Sequence, residues 1–200
     1  YFFKTFYYVS HMFAYKKKYF LIIQNIKDIN LNNIKKNKKF IIILRSNKIE
    51  NNLDGLMRFR RQCKIKRITF FVANDIKLCI RLNSDGIYLS SYNKSFKPLH
   101  LKKLNKIIVG SAHNFNEIFE KKKQGCSNII VSKLFKVDYA PDDKFYGVLK
   151  FNHLFYKNEK IIPLGGIKDA NLCQVKLIKS EGVAIMTEIK KKPAITNRLF

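Results

Sequence analysis

The stretch "IIPLGGIKDANL", Ile161 to Leu172, concentrates chemistry in a few residues. A short apolar run ends in Gly165 and Gly166, and a helix-like segment follows. Glycine weakens both a strand and a helix, so this junction needs bare backbone. Two N–H groups without side chains can approach an anion closely, and the positive end of the following helix adds attraction. A phosphate group is the natural candidate. The same pair also suits a tight strand-to-helix turn, and both readings stand at this point. After a later run, "GVAIM", Met186 and Thr187 offer backbone and a hydroxyl to the same kind of ligand.

Such groups act together only if a scaffold gathers strand ends. Eight short runs rich in Ile, Val, Phe and Leu recur along the chain: Tyr19–Ile23, Phe40–Leu44, Ile68–Ala73, Gly86–Leu89, Lys106–Gly110, Asn128–Ser132, Ile161–Leu164 and Gly182–Met186. They are mostly continuous rather than alternating, as in parallel strands covered on both faces. Helix-like segments lie between them. In "NFNEIFEKKKQG", Asn114 can cap, Glu117 and Glu120 suit the first turns, lysines follow and Gly125 stops the helix. "GLMRFRRQCK" and "NDIKLCIRL" behave alike, whereas "NIKDINLNNIKKNK" is short for a covering helix and "TEIKKKPAITNRLF" is cut by Pro193. The pattern predicts an α/β chain folded as a (β/α)8 TIM barrel, with a short first helix and a truncated last helix. An open doubly wound sheet is the alternative. The expected boundaries are an N-terminal extension over 1–18, with Met12 a candidate start, a single barrel over 19–190 and a C-terminal tail over 191–200. In that fold ligands sit at the carboxyl ends of the strands, with phosphate often held after strands seven and eight. Gly165, Gly166, Met186 and Thr187 fall there.

Composition bounds the rest. Two hundred residues, 46% hydrophobic, can bury a real core. The formal net charge is +26, which raises nucleic acid as a partner. The lysines, however, sit in short runs spread along the whole chain, from Lys16–Lys18 to Lys190–Lys192, where a nucleic-acid footprint would form one stripe. That spread argues against a nucleic-acid role. Cys63, Cys79, Cys126 and Cys173 follow no metal-binding or disulfide spacing and read as reduced core residues of a cytosolic, cytoplasmic protein. No apolar run approaches a membrane span, and no dinucleotide or P-loop motif occurs.

Four segments then carry a resemblance. "FFVANDIKLCIRLNSDGIYL" resembles the thiamine phosphate synthase pattern of a strand ending in Asn-Asp, a helix, then Asp-Gly-Val-His-Leu. "IIVGSAHNFNEI" is similar to its Gly-x-Ser-Thr-His, and "IIPLGGIKDAN" and "SEGVAIMTEI" to its last two strand motifs. The match runs in order from about Phe40 to Ile189, within a superfamily that also holds the TenI-like thiazole tautomerases. The resemblance implies a transferase that joins hydroxymethylpyrimidine diphosphate to thiazole phosphate with release of pyrophosphate. It implies small phosphorylated substrates and Mg²⁺. Arg45 is carried over as a pyrophosphate contact, Asn74 and Asp75 as diphosphate and metal residues. Ser111 and His113 would face the reacting groups, while Gly165, Gly166, Met186 and Thr187 would hold the thiazole phosphate.

The departures matter as much. Ile43 and Asn47 stand where the second-strand pattern has Gln and Lys, with Lys48 one place late. The second metal carboxylate falls near Asn93, and a neutral amide is a much poorer Mg²⁺ ligand. The Thr-x-Thr-Lys loop is replaced by "KLFKVDYAPDDKFYG", where Lys133, Lys136 and Lys144 are candidate substitute cations. Tyr88 replaces the fourth-strand His. Asp75 could equally cap a helix, and Ser111 and His113 could bond backbone. Three functions remain open: a divergent synthase, a metal-independent tautomerase-like enzyme using His113, and a non-catalytic phosphate-binding barrel.

Overall fold

The computed structural model describes residues 17–34, 39–46 and 53–186. Met12, Asn47, Lys48, Thr187, most of the expected extension and all of the expected tail lie outside the described residues. The eight apolar runs form eight strands: β1 Lys18–Ile23, β2 Phe40–Leu44, β3 Thr69–Ala73, β4 Gly86–Leu89, β5 Ile107–Ala112, β6 Asn128–Ser132, β7 Ile161–Leu164 and β8 Gly182–Ile185. Each pairs in parallel with the next, and β8 pairs with β1 to close a barrel. The open-sheet alternative is thereby excluded.

Alternate residues of each strand explain the continuous apolar runs. Phe20, Ile22, Ile41, Ile43, Phe71 and Tyr88 belong to one buried cluster that fills the barrel. Tyr19, Leu21, Ile23, Ile42 and Phe70 belong to a second, which lies between the sheet and its helices. A strand buried on both sides has no polar face to show. Burying a Leu, Ile or Phe side chain gains about 1.5–3 kcal/mol, so both layers are strongly selected.

The outer layer is uneven. α1, Leu53–Ile65, buries Leu56, Phe59 and Cys63 at helical spacing. α2, Ile76–Arg81, is capped by Asp75, whose carboxylate accepts the Leu78 N–H at 2.8 Å. A 3-10 helix, Lys97–Leu104, follows β4. α3, Phe115–Lys123, starts at the Asn114 cap as expected. α4, Gly147–Phe155, follows a long loop, and α5, Leu172–Lys176, has only five residues. The first connection holds two 3-10 turns, Ile26–Asp28 and Leu31–Asn33, and no α-helix.

Three expectations need correction. β1 begins at Lys18, inside the expected extension, and Lys17 before it is buried, its ammonium donating to the Val175 and Lys176 carbonyls. β5 does not stop at Gly110 but continues through Ser111 to Ala112. Gly110 serves packing there: a Cβ would stand 2.8 Å from Cys126 Sγ and 2.9 Å from Lys121 Cδ. Of the cysteines, only Cys63 and Cys79 are buried; Cys126 is half-buried and Cys173 is exposed, because α5 buries only Val175. No helix among the described residues is long and apolar enough to cross a membrane.

Candidate functional site

A cavity of about 310 Å³ opens at the carboxyl ends of the strands. Its walls come from most of the barrel: Arg45 follows β2, Tyr88 lies in β4, Ser111 in β5, Ser132 ends β6, and Gly165–Lys168 follows β7. Ile185, which ends β8, and Met186 after it complete the wall. Tyr88 is 1% exposed. Burial pushes its phenol above the usual tyrosine range, against which the neighbouring Ser111 hydroxyl and the Arg45 charge act. A neutral hydroxyl is therefore the form present at physiological pH.

His113 is fixed from two sides. Its backbone N–H donates to Glu117 Oε2 at 2.7 Å, and Glu117 is itself tied to Asn114 by two bonds of 2.9 Å. This is a helix cap whose carboxylate reaches back past the cap residue. The imidazole Nδ1 lies 2.8 Å from Ser132 Oγ. Nε2 is then the ring nitrogen left for a ligand. Ser132 went unnoticed in the sequence; its position at the end of a barrel strand was the signal that could have found it.

The glycine pair answers to two demands. Gly165 and Gly166 have φ of 103° and 67°, and a Cβ on Gly166 would stand 2.4 Å from Lys136 O. The backbone after β6 lies directly against them: Leu134 N–H donates to Leu164 O and Phe135 N–H to Gly165 O. Asn171 then closes the loop, accepting the Lys168 N–H at 2.8 Å and donating to Gly166 O at 2.7 Å. This explains an Asn five residues after the second glycine. Among the described residues, the N–H groups of Gly166 and Ile167 take no hydrogen-bond partner. The expected helix-dipole contribution is minor, because a single 3-10 turn and a five-residue helix follow. The local positive charge is Lys168, paired to Asp138 at 2.6 Å.

The residues expected at the metal lie elsewhere. Asn74, Asp75 and Asn93 do not line the cavity. Asn74 donates to Ser90 Oγ and Tyr92 Oη and accepts from the Ser90 N–H and from Asn93 Nδ2. Its four hydrogen-bonding positions are all taken. Asn93 Oδ1 accepts the Ser95 N–H, and one Asp75 oxygen caps α2. No group of three His, Cys, Asp or Glu residues that could hold a metal ion occurs among the described residues. One carboxylate flanked by engaged amides does not fit a Mg²⁺ site, which needs several oxygen ligands at near-octahedral geometry. Of the candidate substitute cations, Lys133 pairs with Asp143 beside the Tyr139 ring, and neither Lys136 nor Lys144 lines the cavity. Tyr139 and Asp138, from the same loop, do line it, and the sequence held no signal for them.

Fold and cavity together define a TIM-barrel protein, open at the end where that fold carries its active sites. A family model described as thiamine monophosphate synthase (TMP-TENI) matches residues 27–189, and the chain belongs to that family. It is 25% identical over 162 residues to a thiamine-phosphate synthase of Anoxybacillus flavithermus, covering 74% of each chain. It is 27% identical over 132 residues to one of Bacillus cereus, covering 64% of this chain and 59% of that one. Among solved structures, it superposes on a thiamine phosphate pyrophosphorylase from Pyrococcus furiosus with a TM-score of 0.70 at 14% identity, covering 93% and 96% of the two chains. A 3-hexulose-6-phosphate synthase matches at a TM-score of 0.60 and 16% identity, over 91% and 97%. At those identities the structural likeness is one of fold.

Proposed function

We propose that this protein is a thiamine phosphate synthase-like transferase acting on two phosphorylated small molecules in the cytoplasm. One observation supports this most: Arg45, Ser111, His113 and the Gly165–Gly166 loop, far apart in sequence, line one cavity large enough for small ligands. In the reaction, the bond between the pyrimidine methylene carbon and the diphosphate oxygen breaks, the oxygen keeping the electron pair. The thiazole nitrogen then gives its lone pair to that carbon. The work left to the protein is charge neutralisation and placement of two rings. Arg45 meets the developing negative charge of the leaving group. The Gly166 and Ile167 amides, with Met186 and Thr187, hold the thiazole phosphate. Ser111 and the neutral Tyr88 hydroxyl orient the rings. Asn74, bonded to Ser90, and Asp75, capping α2, support this arrangement from outside the cavity. Purified protein incubated with hydroxymethylpyrimidine diphosphate and thiazole phosphate should release pyrophosphate and form thiamine phosphate. Folded protein that yields no product above background would remove the transferase reading.

A second reading, a tautomerase-like enzyme, is favoured by the His113–Ser132 contact. A ring held at Nδ1 and open at Nε2 suits proton transfer on a thiazole precursor. It fails if His113→Ala leaves tautomerisation unchanged. Phosphate binding without either activity would leave a binding barrel.

A further inference from the structure

Behind the corner where a metal would sit lies a buried lysine. Lys121 is 0% exposed, and its Nζ donates to Asn93 O at 2.6 Å and to Gln124 Oε1 at 2.9 Å. Gln124 Nε2 donates in turn to Asn93 O and Ser95 O. Asn93 reaches across to Asn74 Oδ1, so one hydrogen-bonded chain runs from α3 through the loop after β4 to the end of β3. Burial disfavours the charged form of Lys121, yet two oxygen acceptors within 3 Å retain a donor there.

We infer that the buried Lys121 side chain takes the place of a divalent cation as organiser of the β4 loop, and that the phosphorylated ligand is bound without Mg²⁺. This rests on the transferase reading for the ligand's identity only; the anion site stands or falls by itself. Among the described residues, Arg45 and Lys168 are the two Lys or Arg side chains lining the cavity. Asp138 lines it too and holds Lys168 at 2.6 Å, so it competes with any incoming phosphate. Binding an anion there exchanges one partner of Lys168 for another.

The full chain is titrated with inorganic phosphate by calorimetry, once with EDTA and once with excess Mg²⁺, and with Mn²⁺ alone by its spin-resonance signal. Phosphate affinity should agree within about twofold in the two buffers, and Mn²⁺ should keep its free-ion spectrum. Lys168→Ala should weaken phosphate about tenfold, as loss of a charged hydrogen bond does. Asp138→Asn should tighten it about threefold by freeing Lys168. Asp75→Asn, which preserves the helix cap, should change neither measurement. Mg²⁺ that tightens phosphate tenfold, or stoichiometric Mn²⁺ binding lost in Asp75→Asn, would overturn the inference. So would a wild-type chain that binds no phosphate. None of these outcomes depends on thiamine phosphate being formed, which tests the transferase reading separately.

Discussion

His113 enters the cavity with its main chain and its ring both anchored, by Glu117 and by Ser132. A group so placed loses little freedom when a ligand arrives, which is what a proton-transfer residue requires. Under the tautomerase-like reading, His113→Ala should lower turnover about a hundredfold. Ser132→Ala, which releases only the ring, should lower kcat about tenfold and leave KM little changed, measured by steady-state kinetics. Gly166 is a different kind of residue. Alanine there meets Lys136 O at 2.4 Å in a conformation with φ of 67°, so Gly166→Ala should cost about 2–4 kcal/mol in denaturant unfolding. The glycine pair was legible from its place after an apolar run. Its second demand, the backbone of the loop after β6, was not, because nothing local in the sequence records which loop will cross it. Asp75 was legible only as an ambiguity, and the structure shows it capping α2. Asp75→Ala should cost about 1 kcal/mol in the same unfolding experiment, and Asp75→Asn only a few tenths.

Among the elements, every strand was visible because inward and outward layers both demand apolar side chains, leaving runs without a polar break. The helical layer was harder to read. The Lys97–Leu104 segment is a 3-10 helix with no strong amphipathic face, so no 3.6-residue period announces it. β5 was read two residues short because Gly110 looks like a strand terminator. Its missing side chain makes room for Lys121 and Cys126 instead. That places Ser111 within the strand beside Tyr88, deeper than a residue at the mouth. The clamp of α3 on the β4 loop sets a further expectation. Gln124→Ala removes two donors to Asn93 O and Ser95 O and an acceptor of Lys121, all in a buried setting. It should cost about 1–3 kcal/mol, and backbone amides of the 92–96 loop should lose hydrogen-exchange protection.

For the whole molecule, a net charge of +26 spread over the surface opposes compaction, so added salt should raise the melting temperature until the charges are screened. Lys17 adds a pH dependence of its own. Burial lowers its pKa to about 8, so between about pH 8 and its ordinary value of 10.5 the unfolded chain binds more protons than the folded one. Stability from this residue therefore rises as pH climbs through that window, and is absent below it. Denaturant midpoints at pH 7 and pH 10 should differ less in Lys17→Met than in the parent. The same spread of lysines that obscured any partner in the sequence is, in the fold, a general repulsion punctuated by a few engaged ammonium groups.

The closing seam has a consequence for biosynthesis. Tyr19 lies opposite Val183, and Lys18 N–H donates to Glu181 O, so β1 finds its second neighbour only when the last strand exists. On the ribosome the nascent chain carries β1 as a naked apolar edge until β8 has been made. A cell making this protein must shield that edge, and slowing elongation before the codon for Gly182 should divert product into inclusion bodies unless a holding chaperone is abundant.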